Sequence, residues 1–433
     1  MSFVHVGGTF REVAMKVVQE QEEDNAFYVC DLRELKNRVR LWRQELPRVV
    51  PHFAIKACTD PVVLQTLAYE EVNFDCSNKW EIEVLVSAGI DVTRIIYANP
   101  AKQTSHLEFA KNVGVTLMTF DCAEELEKIS DKKASLLLRI RVQGDTIESK
   151  MASKFGCSLE EAASLLRTAI SLGLSVIGVA FHVGAIDYSP EAFTLAIAQA
   201  REVFDMANEL GREMSVLDIG GGFPGGIRKR DSFEKVCQAV RYALDLHFPE
   251  SSGISVIAEP GQYMVTAPYT MAVKVIAKRT RQTSIDGALC YHHDVYLNAS
   301  KENCVPREMY TFLDIGYQPL NPPYYRTRKH VTTLWGATCH PLDMLEGCVP
   351  FFEVSVGEWL AIDNVGAYGM VKANGFNGTG FPPVHYITHA EDAPRVAHFL
   401  EASPLTPGYS QPLQAMKKSC PRGITAALLS RAS

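Results

Sequence analysis

The 433-residue chain has no apolar run long enough for a membrane span, no excess of positive charge and no closely spaced cysteine pair. Its longest apolar stretch, Gly173 to Ile186, falls short of the roughly 20 residues a spanning helix needs, and it contains His182. Lys and Arg number 43 against 50 Asp and Glu, a formal charge of −7, so nothing points to a polyanion partner. The short basic clusters Arg228-Lys229-Arg230 and Lys417-Lys418 read as solvated surface, and neither nucleic acid nor membrane is expected as a partner. Eleven cysteines, odd in number and without CxxC spacing, argue against a disulfide framework or a zinc site. The pair His292-His293 lacks a matching ligand set and reads as loop surface, so no metal is expected. The first 26 residues show no basic, apolar and small-residue succession of a secretory leader. The expectation is a cytosolic protein with reduced thiols.

What is present is a repeat of strand and helix. Between residues 50 and 260, eight short apolar runs stand as candidate strands: 52–56, 73–76, 95–99, 116–120, 136–142, 176–183, 215–221 and 255–260. Stretches with apolar residues three and four apart separate them, several opening on a capping residue and closing on glycine, as in Ser158 to Gly173 and Ser189 to Gly211. Near-continuous apolar strands alternating with amphipathic helices indicate a parallel sheet covered by helices. Eight units without interruption favour a closed (β/α)8 TIM barrel over an open doubly wound sheet. After about residue 265, short strand-like runs between turn-rich stretches such as NGFNGTGFPP predict a separate β domain. The predicted division is an N-terminal segment 1–30 packing with the β domain, a barrel over 31–265, the β domain over 266–405 and a loosely held tail over 406–433.

Barrel active sites lie at the C-terminal ends of the strands. The residues predicted there are Lys56, Asp75, Arg139, His182, the run Gly220-Gly221-Gly222 and Glu259. Singly each has a bland reading: a surface lysine, a helix cap, a structural histidine, a tight turn, a residue before proline. Together they suggest pyridoxal phosphate. A lysine amine can hold the aldehyde, glycine N–H groups can approach the phosphate, and a carboxylate can keep the pyridine nitrogen protonated.

The motifs HFAIKA, FDCSNKWE, FHVGA, LDIGGGFPG, AEPGQY, WGATCHPLD and NVGAYG, in this order over roughly residues 25 to 385, resemble those of eukaryotic ornithine decarboxylases and their paralogues. The resemblance implies an alanine racemase-like barrel with a C-terminal β-sandwich or β-barrel domain, pyridoxal 5'-phosphate as cofactor, and a head-to-tail homodimer with shared active sites. It makes Lys56 the residue that holds the cofactor aldehyde, with Asp75 beside it, Glu81 supporting that wall and Arg139 facing the cofactor. His182 would stack on the pyridine ring and Glu259 would pair with its nitrogen. Gly220, Gly221, Gly222 and Tyr368 would bind phosphate, with Gly261 in the adjoining turn. Cys339, acting in the partner's site, would steer decarboxylation and protonation at Cα, and Phe376 would line the pocket.

Three departures from the family pattern matter. Ala185 stands where the family has a cofactor-contacting serine, and Gln262 where it has an arginine gripping phosphate, so weaker cofactor binding is expected. His340 replaces an aspartate that binds the distal ammonium of ornithine, while Asp343 retains the next aspartate of that loop. A second distal-amine carboxylate has no clear counterpart, Glu308 being the nearest candidate. A cationic group buried without its carboxylate is heavily penalised. The expectation is an L-amino-acid α-decarboxylase acting on a neutral aliphatic substrate, leucine first, then valine and methionine. The rival readings are a true ornithine decarboxylase and a non-catalytic regulator that competes for antizyme. Antizyme binding is disfavoured: Lys102 and Lys128 of the family's basic stretch are kept, but Glu108 reverses a lysine.

Overall fold

The computed structural model describes residues 3–142, 154–184, 189–285, 288–304, 314–327 and 329–402. These fall into two compact units. Seventeen strands are numbered in chain order. The first two are β1 (Val4–Val6) and β2 (Phe27–Asp31). Eight short ones follow: β3 (Val49–Ala54), β4 (Asn73–Cys76), β5 (Ile95–Tyr97), β6 (Leu117–Phe120), β7 (Ser135–Arg139), β8 (Ser175–Ala180), β9 (Val216–Asp218) and β10 (Ser255–Ala258). The last seven are β11 (Tyr269–Ile285), β12 (Ala288–Leu297), β13 (Gly316–Pro319), β14 (Lys329–Trp335), β15 (Met344–Phe352), β16 (Trp359–Asp363) and β17 (Val384–Thr388).

One unit, Lys36–Lys56 with Leu64–Met264, is the barrel. Strands β3 to β10 pair in sequence order, all parallel, and β10 closes on β3 with Val256 opposite Val49. Ile96, Ala98, Leu137, Ala180 and Ile257, drawn from alternating positions around the ring, form an apolar cluster that fills it. Each buried Ile or Leu side chain of the cluster contributes about 1.5–3 kcal/mol. The helices begin and end where local chemistry dictates. Ser158 and Glu161 form a reciprocal capping box, Ser189 caps a helix with Pro190 in its first turn, and Gly173 and Gly211 take the left-handed backbone beyond two helix ends.

Several strands end before the apolar runs do. β3 stops at Ala54 and Lys56 sits in a 3-10 turn, Ile55–Ala57. β8, β9 and β10 stop before His182, Gly220 and Glu259 respectively. Apolar character continues past the last ladder hydrogen bond because these residues stay buried. Gly220, at φ +63°, has already left extended backbone.

The other unit, Met1–Leu35, Ala57–Val63 and the chain from Val265 onward, is a mixed β domain. Its sheet runs β1-β17-β2-β11-β12-β14-β15, with β16 also pairing β11 and β13 pairing β16. The 17-residue β11 serves both halves: residues 269–274 pair with β2 and β16, and from Val275 onward it pairs with β12. Phe27 to Cys30, the end of the N-terminal segment expected to pack with the β domain, lies in a strand of this sheet. Val13 and Val17 of the helix Phe10–Glu20 form its core with Phe27, Trp359 and Ile387. Ala57–Val63 belongs here because buried Asp60 accepts hydrogen bonds from the Tyr269 and Tyr386 hydroxyls at 2.7 and 2.8 Å. His292 and His293 are not loop surface. They lie mid-strand in β12, where alternation sends one ring to each face.

Candidate active site

At the C-terminal end of the barrel, Lys56 Nζ lies 2.5 Å from Asp75 Oδ2, with Asp75 fully buried at the end of β4. The turn after β4 is held by Glu81, whose carboxylate accepts from the backbone N–H of Ser77 and from its hydroxyl at 2.9 Å. Asn78 caps the helix that carries Glu81. Burial raises the Glu81 carboxyl above its ordinary range. Arg139, the last residue of β7, packs its guanidinium 5.2 Å from the Phe155 ring centroid and is almost fully buried.

His182 follows β8, and its Nδ1 accepts the Gly184 N–H at 2.9 Å. That bond assigns the remaining proton to Nε2. Desolvation, then repulsion from Arg139 and Lys56, pushes the imidazole pKa down to about 3, so the ring is neutral at physiological pH. A Cβ on Gly221 would lie 2.9 Å from both His182 Nε2 and the Glu259 carbonyl oxygen. Glycine at 221 therefore lets the loop after β9 lie against the imidazole. Gly220 and Gly222 have positive φ, and a Cβ on either would strike a backbone oxygen at 2.1 or 2.2 Å.

Asp218 was not among the expected site residues. It ends β9 fully buried, and its Oδ1 accepts the Gly220 N–H at 2.9 Å, which fixes the glycine turn. Burial raises its pKa to about 7. Glu259 is driven well above the usual carboxylate range by burial and by the charges of Asp75 and Asp218. The local signal for Asp218 was an acid ending an apolar strand, which reads equally as a helix cap. Three buried carboxyls thus face two cations, Lys56 and Arg139. Asp75 Oδ1 and Asp218 Oδ2 are buried without a hydrogen-bond partner. Such a set fits a ligand bringing an N–H donor toward the acids and an anionic group toward the glycines, as pyridoxal phosphate does. Gln262 is buried in the turn that opens at Gly261, and its Nε2 donates to the Phe223 carbonyl at 3.2 Å. Ala185 and Glu308 lie outside the described residues.

The β domain carries the remaining expected residues. Tyr368 has positive φ, +61°, and its N–H donates to Ala57 O at 2.8 Å. Cys339 is exposed, and its N–H donates to Asn377 Oδ1 at 3.4 Å. The His340 and Phe376 ring centroids lie 5.7 Å apart. His340 Nδ1 is 3.0 Å from Glu302 Oε1, and Glu302 Oε2 accepts from Asn374 Nδ2 at 2.8 Å. These bonds, Asn374 foremost, hold the Glu302 carboxyl below its ordinary pKa. Sequence reasoning passed over Glu302, since only the folded loop brings it to His340.

Asp343 is buried. It accepts from the Lys301 N–H at 3.0 Å and from the Thr338 N–H and hydroxyl at 3.0 and 2.5 Å. Gly336 leaves room for this carboxylate, since a Cβ there would lie 2.2 Å from it. Asp343 is thus turned into the loop that carries Cys339 and His340. Within the barrel, Lys102 and Lys128 form no basic surface. Lys102 is buried against Glu125 at 2.8 Å, and Lys128 pairs with the same carboxylate. Among the described residues no helix is long and apolar enough to cross a membrane.

A family model for the pyridoxal-binding domain of pyridoxal-dependent decarboxylases matches residues 32–266. Mouse ornithine decarboxylase is 37% identical over 384 residues, covering 86% of this chain and 82% of the relative. Antizyme inhibitor 2 of Xenopus laevis is 38% identical over 389 residues, covering 87% and 84%. Among solved structures, the arginine decarboxylase of Paramecium bursaria Chlorella virus superposes with a TM-score of 0.80 at 31% identity, over 87% of this chain and all of that one. Lysine decarboxylase of Selenomonas ruminantium gives 0.74 at 29% identity, over 92% and 100%. The barrel, its lysine and carboxyl cluster and these likenesses lead to one conclusion: the chain belongs to the pyridoxal-dependent decarboxylase family, with pyridoxal phosphate as its cofactor.

Proposed function

We propose that this decarboxylase acts on a neutral aliphatic L-amino acid, leucine before valine or methionine, releasing carbon dioxide and a primary amine. The observation that carries this reading is the fate of the carboxylates around His340. Glu302 accepts from His340 and Asn374 with its two oxygens, and Asp343 is consumed by Thr338 and Lys301. Among the described residues of this loop, no other carboxylate is available to pair with a distal ammonium. An aliphatic side chain needs none.

Pyridoxal phosphate, when bound, supplies the electron sink for the pair left at Cα as carbon dioxide departs. The chain's own residues then have distinct parts. Lys56 would hold the cofactor aldehyde, with Asp75 keeping the amine positioned. Neutral His182 offers a ring face rather than a second positive charge. Glu259 would meet the pyridine nitrogen, while Asp218 and Arg139 set the charge around it. Gly220 spends its N–H on Asp218, so Gly221 and Gly222 would face the phosphate, together with Tyr368. Gln262 would offer a neutral amide where the family has a guanidinium. Cys339 would deliver the proton to Cα, with Phe376 and His340 enclosing the substrate side chain.

In the proposed homodimer the Cys339 loop serves the second subunit. Exposure of Leu342 (68%) and Phe376 (46%) supports this, since apolar side chains beside a reactive thiol gain from being covered. Burial of Lys102 is a further reason to expect antizyme binding to be weak.

A second reading, ornithine as substrate, is favoured by Glu302 itself, a carboxylate one hydrogen bond behind His340. Carbon dioxide release from leucine, valine, methionine, ornithine, lysine and arginine, with Lys56→Ala as control, separates the two. Release from leucine or its neighbours supports the aliphatic reading. Release from ornithine, lost in Glu302→Gln, overturns it. Silence on every substrate with no cofactor absorbance would favour a regulator resembling the antizyme inhibitor.

A further inference from the structure

A cluster in the β domain lies outside all of this chemistry. His293 of β12, His330 of β14 and Glu353, the residue after β15, bring ligand atoms within 4.8 Å of one another. The parallel pairing of β12 with β14 sets His293 opposite Thr332, so His330, two residues earlier, lies diagonally across the same face. The antiparallel pairing of β14 with β15 sets Lys329 opposite Phe352, which delivers Glu353 to that end of β14.

The bonding state of these groups points to a ligand. His293 is only 8% exposed, and its Nε2 is buried with no hydrogen-bond partner. Its Nδ1 lies 3.0 Å from Thr280 Oγ1. If Nδ1 donates there, the ring is oriented and the Nε2 lone pair is left for a ligand, the usual arrangement behind metal-binding histidines. His330 Nε2 lies 2.7 Å from Glu353 Oε2 yet lacks hydrogen-bond alignment with it. The two imidazoles pack edge to face, 4.7 Å apart between centroids and 69° between planes. Lys278 pairs with Glu353 Oε1, leaving Oε2 toward the histidines, and Arg326 donates to the Glu353 backbone carbonyl. A buried imidazole nitrogen without a partner is costly.

We propose that His293, His330 and Glu353 form a binding site for a divalent transition-metal ion, zinc by ligand chemistry, which clips β14 and the end of β15 to β12. Two imidazoles and one carboxylate are a borderline-soft set suited to zinc, with water completing a tetrahedral shell. The function is structural reinforcement of the β domain, separate from the decarboxylation machinery.

The test uses full-length, cofactor-loaded protein stripped with a chelator and titrated with zinc chloride by calorimetry, with zinc counted by elemental analysis. One zinc per chain is expected, with a rise in thermal midpoint on zinc addition. His330→Ala and Glu353→Gln should each weaken binding about 10-fold or more, since even outer-shell losses cost roughly 10- to 100-fold. Glu353→Gln is isosteric at a 44% exposed side chain, so it keeps the test decisive where His293→Ala fails to fold. Absence of zinc from the parent overturns the proposal. So does binding that survives His330→Ala and Glu353→Gln, or that is lost instead in Cys339→Ala or Cys348→Ser.

Discussion

Gln262 is the single side chain whose replacement tests the proposed phosphate end of the barrel. Its amide is buried and bonded to the Phe223 carbonyl, so the phosphate end would rely on backbone N–H groups and neutral donors. Gln262→Arg should tighten pyridoxal phosphate binding roughly 10-fold, because charge-assisted bonds are about twice as strong as neutral ones. Spectroscopic titration of the two proteins checks this, and equal affinities would remove Gln262 from the phosphate site. Asp343 makes a different point at the same scale. Its carboxylate satisfies two backbone N–H groups and a hydroxyl, so Asp343→Ala should cost about 3 kcal/mol, with the loss read from denaturant midpoints. Activity should fall with it, since the loop positions Cys339 and His340.

At the scale of elements, the loops after the barrel strands are fastened by buried polar groups, each tying neighbours in the ring. After β5 and β6, Lys102 donates to Asn99 O, Thr119 O and Glu125, joining two successive βα loops around one ion pair. Glu125→Gln would leave the Lys102 ammonium buried without its countercharge, an expected loss of roughly 3–5 kcal/mol measurable by urea unfolding. After β9 the tie is steric as well. Gly221→Ala would force the loop away from His182 and the Glu259 carbonyl, both 2.9 Å from the added Cβ. The expected result is cofactor affinity lowered about 10-fold or more with little change in far-ultraviolet circular dichroism.

For the whole molecule, pH dependence follows from histidines kept neutral inside the barrel. Burial lowers the His52 pKa from 6.5 to about 4, so between those values the unfolded chain binds a proton that the folded barrel does not. Stability from this source is constant above pH 6.5 and falls as pH drops toward 4. His182 acts in the same direction, whereas Asp218, raised from 3.8 to about 7, keeps its proton longer when folded and favours the lower pH. Comparison with His52→Gln isolates the first group. Relative to that variant, the parent should lose up to about 3 kcal/mol between pH 6.5 and 4, and parallel stability profiles would refute it.

The alternation of apolar runs with capped, amphipathic stretches was enough to recover the eight-stranded barrel. Period, capping and glycine punctuation are local, and Ser158 or Gly173 needs only its neighbours to act. The lysine, histidine, glycine run and glutamate at the strand ends were legible for the same reason, since a barrel directs every strand end to one face. The family motifs then supplied roles that spacing alone left open. Six of the eight barrel strands, all but β4 and β6, end earlier than their apolar runs, because burial continues where ladder pairing has stopped. What the chain order could not convey was partnership across strands. Asp218 with the glycine turn, Glu302 with His340, and His293 with His330 and Glu353 each depend on register and loop closure between positions far apart in sequence. A side chain's type is written locally, but its partner is chosen by the fold.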